Sequence, residues 1–353
     1  MAEPAPPSSR AAGSRTPPRR LVHELLRAAV AAPSLHNTQP WRFRVRDSGS
    51  VIELLADPAR MLPAADPGGR AAHIACGAAL FNLRMAAAVA GLRPDIALLP
   101  DPARPLLVAE VRLAGTRQAA APWERELHAA IARRQTNREP YSTRPVPPDT
   151  RAELAEAASA EAAILHFLDR DEALRVRRLA ADAELYLLAD PAYRAEVARW
   201  VGSPRDNDGI PDSALGPTSP EGGQPVRRFV PGRPRPVRYA RFEESPQLAV
   251  LSVRAGGARD WLAAGQALQR VWLTATSRGI SCCPLTQPLE TADAWLVRDP
   301  RSGTEQPQMI LRIGYGPPIP AGAPRRAVSD VIDWPREAKR SPKTASTASP
   351  RAL

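Results

Sequence analysis

The sequence predicts an α+β fold made of two tandem copies of one unit, packed against each other within the chain as an intramolecular pseudo-dimer. A first observation is a recurring helix-compatible segment. Gly77-Ala-Ala-Leu80 opens the centre of a stretch that ends at Gly91-Leu92, and Gly265-Gln-Ala-Leu268 opens one that ends at Gly279-Ile280, with equal spacing from glycine to glycine. A second is that each stretch is later followed by a proline-led apolar strand, Pro105 to Val111 in one case and Pro307 to Ile313 in the other. A third is that the polar motifs are divided, one lying ahead of the first repeat and a different one ahead of the second.

With 353 residues, the chain can bury a sizeable core and fills two or three domain-sized units. Its net charge of +11 raises the question of nucleic acid. The two lysines, Lys339 and Lys343, stand near the C-terminus, and the remaining cations are arginines scattered among alanine and proline. No nucleic-acid-binding motif accompanies them, so no nucleic-acid partner is expected. The three cysteines, Cys76, Cys282 and Cys283, are odd in number and two are adjacent, which excludes a disulfide framework. No apolar run of membrane-spanning length and no signal-like apolar core is evident, so a cytoplasmic protein with no membrane partner is the default expectation.

Taken in order, residues 1–18 lack periodicity and are expected to be disordered, as is the tail 336–353. From Arg20, the spacing of Leu21, Leu25, Ala28, Ala29 and Ala32 predicts a helix with one apolar face. Pro33 stops it, and Ser34 to Gln39 form a donor-rich loop held between that helix and a strand begun by Pro40-Trp41. Arg42–Val45 and Val51–Leu55 alternate as a hairpin around Asp47-Ser-Gly49. Asp66 to Gly69 form a turn that starts a long helix, Arg70–Val89, stopped by Gly91. Leu106–Leu113 reads as a strand and residues 115–121 as a linker.

The second unit begins near Pro122, with Leu127, Ala130 and Ile131 on one face of a helix over Trp123–Arg134. If residues 134–138 are extended, a period of two turns Arg134, Thr136 and Arg138 to one side. Two guanidinium forks and a hydroxyl converging on one point suit a dianion such as a terminal phosphate. Residues 202–238 are turn-rich and without periodicity, and a loop of that length is either functional or disordered. His23, His73, His128 and His166 show no metal-ligand spacing, and no metal is expected.

Two motifs carry a resemblance. Ala32-Pro-Ser-Leu-His-Asn-Thr-Gln-Pro-Trp41 is similar to the A-P-S-x-x-N-x-Q-P-W loop of the FMN-dependent nitroreductase superfamily, and Arg134-Gln-Thr-Asn-Arg138 resembles its R-x-[ST]-x-R phosphate motif. The runs Leu62–Arg70, Cys76–Leu80, Arg133–Arg138, Gln306–Met309 and Ile313–Tyr315 look closer to one branch, the two-copy Acg-like proteins, over roughly residues 20–335. The resemblance implies a nitroreductase-like fold with a first half at 19–121, a second at 122–335 and a lid-like insertion at 202–238.

It also implies one FMN per chain, because each half retains only one of the two motifs. Pro33, Ser34, Leu35, His36, Asn37 and Gln39 would then face the ring. Arg134, Thr136 and Arg138 would hold the phosphate, and backbone around Pro284, Leu285 and Thr286 would lie near the flavin N5. Arg325 and Arg326 would serve the phosphate or the pyrimidine side of the ring. The implied activity is transfer of electrons from NADPH or NADH through FMN to a nitroaromatic, quinone or similar planar small molecule, with no protein acid required. The alternative implied by the same branch is a protein that sequesters flavin beneath a closed lid without turnover. The chain is expected to act as a monomer in which the two halves imitate a dimer, with further association left open.

Overall fold

The computed structural model describes residues 17–334, apart from 114–117, 203–205, 223, 230–235, 292–296, 298–304, 320 and 321. The disorder expected of residues 1–18 and 336–353 thus falls, except at Pro17 and Pro18, outside the described residues, as does most of the expected linker's start.

Helix α1 (Arg19–Val30) buries Val22, Leu25, Leu26 and Ala29 on one stripe and stops two residues earlier than its periodicity suggests. Strands β1 (Trp41–Arg46) and β2 (Val51–Ala56) form the expected hairpin, with Trp41, Phe43 and Val45 turned inward. Helix α2 (Arg70–Val89) follows, then β3 (Asp95–Leu98) and β4 (Leu107–Arg112). The strands order as β3-β4-β2-β1, and a short strand from the far end of the chain, β9 (Ile332–Asp333), adds to β1 in parallel.

The second sheet repeats that order. Its strands are β5 (Ile164–Phe167), β6 (Leu248–Val253), β7 (Ser281–Pro284) and β8 (Gln306–Gly314), arranged β5-β6-β8-β7. In both sheets the two central strands are antiparallel and carry a register shift, between Leu54 and Leu55 in one and between Leu251 and Ser252 in the other. Helix α4 (Pro148–Ser159) precedes β5 as α1 precedes β1, and α7 (Ala258–Ser277) lies between β6 and β7 as α2 lies between β2 and β3. The clearest departure is the link between β5 and β6. Where β1 and β2 are joined by a tight turn, residues 168–247 intervene and carry α5 (Arg170–Ala189) and α6 (Pro191–Trp200).

Helices α2 and α7 cross at the two glycines that marked the repeat. A Cβ on Gly77 would stand 2.2 Å from the Leu262 carbonyl oxygen, and one on Gly265 would stand 2.0 Å from that of Ile74. Only a missing side chain lets the backbones touch. Beyond the crossing, the Gln269 amide donates to Asn82 Oδ1 at 2.7 Å, and the Asn82 amide donates to the Ala28 carbonyl at 2.9 Å. Helix α3 (Pro122–Ile131) packs Leu127, Ala130 and Ile131 on Phe81 and Met85 of α2 and Leu273 of α7, so it braces both.

One expectation is corrected here. Helix α2 is both long and apolar enough to cross a membrane, although no such run stood out in the sequence; 83% of its apolar window is buried inside the fold. Its amino-terminal N–H groups are met by Asp66, whose carboxylate accepts from Ala71 and Ala72 at 2.9 Å each.

The glycine crossing has a measurable consequence. In an exposed helix, glycine to alanine gains about 1 kcal/mol of propensity. At Gly265 the clash with a fixed carbonyl outweighs it, and Gly265→Ala is expected to lose about 3 kcal/mol or more by urea unfolding. An unchanged or raised midpoint would show that the helices separate at no cost.

Candidate functional site

The loop between α1 and β1 carries non-glycine residues with left-handed backbone at three positions, His36 (φ 49°), Asn37 (φ 55°) and Gln39 (φ 53°). Such conformations persist only when neighbours over-determine them. Here the backbone N–H of Gln39 donates to Ser34 Oγ at 2.9 Å, a local clasp within the loop. The Asn37 amide donates to the carbonyls of Gly209 at 2.8 Å and Pro324 at 2.9 Å, and the Gly209 N–H returns a bond to the Asn37 carbonyl. Gln39 donates to the Asn207 carbonyl and accepts from the Arg326 N–H. The loop is therefore fastened on one side to the insertion and on the other to the segment after β8.

These three pieces, together with residues 131–139, enclose a cavity of about 330 Å³, the size of a small-molecule or cofactor site. Pro33, Ser34, Leu35, His36 and Asn37 line it from the loop. Residues 134–138 run beside β7, with Thr136 bridging Cys282 and the Asn137 N–H donating to the Cys282 carbonyl at 3.1 Å. Arg134, Gln135, Thr136, Arg138 and Glu139 all line the cavity, so the period of two is not kept, while Asn137 points away, bonding Ser281 and the Pro317 carbonyl.

The two arginines of this segment do not form one fork. The Arg134 guanidinium lies 4.8 Å from the Trp272 ring centroid, buried beside Arg325, and its Nε has no hydrogen-bond partner. Burial, then the charge of Arg325, pulls Arg134 down to about 9, and burial pulls Arg325 down to about 10. Both remain cationic at neutral pH, and the Arg325 Nε is unpartnered too. Arg138 instead lies 5.2 Å from the Phe229 ring and donates to the Ala214 carbonyl at 2.7 Å. The like charge that acts on it is Arg227, which is itself bound to Glu290, Thr286 and Tyr193.

Among the residues that sequence reasoning put at the site, three stand back from the cavity. Gln39 is fully buried and spends its amide on the clasp just described. Leu285 lies in an apolar cluster with Val176 and Leu289, and its backbone N–H is spent on the Ile310 carbonyl at 2.9 Å. Of the two C-terminal arginines, Arg325 faces the cavity, whereas Arg326 turns to the Asp330 carbonyl at 2.7 Å. Pro284 and Thr286 do line the cavity.

Sequence reasoning missed Trp272, Phe229, Arg227 and Arg70, all of which line it. Trp272 lies two helical turns beyond Gly265, on a face the repeat could have indicated. Phe229 and Arg227 come from the insertion, where no periodicity pointed inward. Arg70, at the first position of α2, donates to the Gln308 carbonyl at 2.7 Å. Among the described residues no group of His, Cys, Asp and Glu could hold a metal ion. The three cysteines are buried, and burial pushes each thiol up, which makes them inert filler.

The sequence model of the Nitroreductase family matches residues 131–315. A protein of Mycobacterium tuberculosis named "Putative NAD(P)H nitroreductase Rv3131" is 35% identical over 335 residues, covering 92% of this chain and 94% of its own length. The chain belongs to the nitroreductase family. A second relative from the same organism, "Putative NAD(P)H nitroreductase acg", is 29% identical over 88% of this chain and 95% of its own. Among solved structures, the FMN-dependent nitroreductase NfnB from Mycobacterium smegmatis, in complex with NADPH, aligns with 60% of this chain and 99% of its own, with 15% identity and a TM-score of 0.36. The family match begins at Ile131 and so takes in the 134–138 segment, while the 33–41 loop of this nitroreductase lies ahead of it.

Within the nitroreductase site, His36 is the least satisfied group. It is 2% exposed, both ring nitrogens lack partners, and burial followed by the charges of Arg227 and Arg138 holds it well below its ordinary value of 6.5. A histidine kept neutral in the fold takes up its proton only in the unfolded chain as pH falls below 6.5, so stability present above that value is lost below it. The wild-type protein is expected to lose about 1.4 kcal/mol per pH unit below 6.5 relative to His36→Asn in urea unfolding. Parallel pH profiles for the two would contradict the buried, neutral state.

Proposed function

We propose that this chain is an FMN-dependent oxidoreductase that passes electrons from NADPH or NADH to a planar small-molecule acceptor, a nitroaromatic or a quinone. The observation that carries the reading is the pair Arg134 and Arg325: one buried and one part-buried cation whose charges act on one another, each with an Nε unpartnered among the described residues, at the wall of a cavity. Burying a charge without a counter-charge is costly unless a ligand supplies one. A phosphate dianion answers both guanidiniums. The names of the 35% and 29% identical relatives support the nicotinamide part of the proposal.

In this reading Arg134, Arg325 and the Thr136 hydroxyl hold the phosphate. Arg138 stands apart from them and offers its charge to the ring, where it would stabilise negative charge on the reduced flavin. The loop residues Pro33, Ser34, Leu35 and Asn37 bound one side of the guest, and Pro284 and Thr286 another. FMN, when bound, supplies the two-electron chemistry, accepting from nicotinamide and giving to the acceptor in turn. The protein's part is to orient the two partners, exclude water and hold the loop rigid. Acceptor protons come from solvent, since the carboxylates at the cavity, Glu290 and Glu139, are engaged by Arg227 and Arg238.

One observation favours a second reading, in which the same site stores flavin without turnover. The insertion is fastened over the cavity through Asn37 and Gly209, Gln39 and Asn207, and an Arg60 to Asp208 ion pair at 2.9 Å. A cover held by that many bonds would keep nicotinamide out.

An FMN titration followed by anaerobic NADPH and NADH tests both. Bleaching of the flavin band is expected for the oxidoreductase. A bound band that only dithionite bleaches would establish storage, and no binding at all would refute both readings. Arg134→Ala and Arg325→Ala should each remove a charge-assisted contact of about 1.5–3 kcal/mol, weakening FMN by about one to two orders of magnitude. Wild-type affinity in either would overturn the phosphate assignment.

A further inference from the structure

We propose that His36 is the residue that recognises the electron acceptor, its imidazole hydrogen-bonding an oxygen of a planar quinone or nitroaromatic lodged against Phe229. The inference rests on the oxidoreductase reading and adds to it a specificity-determining side chain.

His36 lines the cavity, yet among the described residues neither of its ring nitrogens finds a partner. Leaving a buried donor unpaired forfeits the bond it would make to water. The loop pays a second penalty at the same residue by holding it at φ 49°. Two unfavourable features at one position, both relieved by a guest that bonds the ring, mark a binding group rather than core filler.

Its neighbours indicate which guest. The imidazole stands edge-on to Phe229, with ring centroids 5.9 Å apart and planes at 74°. The charges that act on it are those of Arg227 and Arg138, and the ring it meets, Phe229, belongs to the insertion. His36 therefore belongs to the part of the cavity closed by the insertion. A flat molecule entering there meets an aromatic edge and one N–H donor, with cations on the same side. An oxygen acceptor suits that donor, and two guanidiniums nearby leave it little use for a cation.

The test uses FMN-loaded, oxidised, full-length protein with menadione as the probe, so that binding is measured with no reductant present. His36→Phe keeps a buried ring and removes both nitrogens. His36→Asn keeps a neutral donor and tolerates the left-handed backbone. Menadione affinity, read from perturbation of the flavin spectrum, is expected to fall about five- to tenfold in His36→Phe, the loss of one hydrogen bond. It should recover at least in part in His36→Asn, and FMN affinity should stay within about twofold in both. In single-turnover mixing of dithionite-reduced protein with menadione, two electrons pass from reduced FMN and two protons from solvent to give the quinol. There the half-saturating quinone concentration should rise in His36→Phe by the same factor. Menadione affinity unchanged in both variants, or a loss of FMN affinity of equal size, would overturn the assignment while leaving the oxidoreductase reading intact. A wild-type protein that binds no FMN would remove both.

Discussion

The structure depends on keeping three side-chain-bearing residues in left-handed backbone within one short loop. His36, Asn37 and Gln39 each give up a favourable conformation, and the loop compensates by making its polar groups serve as joints. Asn37 touches the insertion with the same amide that touches the C-terminal segment, so the position of one fixes the position of the other. Were the loop to relax to ordinary backbone, Gly209 and Pro324 would lose a common partner, and Arg325 would lose the Asn37 oxygen to which it donates at 2.9 Å. The cavity wall, its cover and one of its cations are all set by that strained turn.

Charge is distributed around the cavity by a simple rule. Arginines that reach a carboxylate are spent on structure, as Arg227 is on Glu290 and as buried Arg312 is on Glu243, with Tyr141 beneath it at 3.6 Å. Among the described residues Arg134 and Arg325 reach none, and stack or lean on neutral groups instead. Guanidinium suits this use because it stays charged when buried and its flat face packs on rings. The arginine-rich composition thus includes a few positions where lysine would not serve.

Much of this could be read from the residues. The helix at α2, its turn at Asp66 to Gly69, the first hairpin and the repeated glycines follow from local spacing, which physics reads one segment at a time. The loop and the 134–138 segment were legible because their residue types have few other uses together. What escaped depended on distant parts of the chain. Arg325 and Arg326 are adjacent and chemically alike, and only Asn37 and Asp330, far apart in sequence, decide which faces inward. The expected single fork of Arg134 and Arg138 split because each found a different aromatic ring, Trp272 from α7 and Phe229 from the insertion. Leu285 stands back from the cavity because its amide is claimed by the Ile310 carbonyl.

The glycine crossing of α2 and α7 has a consequence for how the site behaves on dilution. Both walls of the cavity are parts of one polypeptide, and the two helices that join them meet backbone to backbone. Bringing the walls together is then a first-order event with an effective concentration fixed by the chain, not by how many molecules are in solution. A cell holding a handful of copies has the same fraction of assembled cavities as one holding thousands. Retention of whatever occupies the cavity then follows the ligand's own affinity.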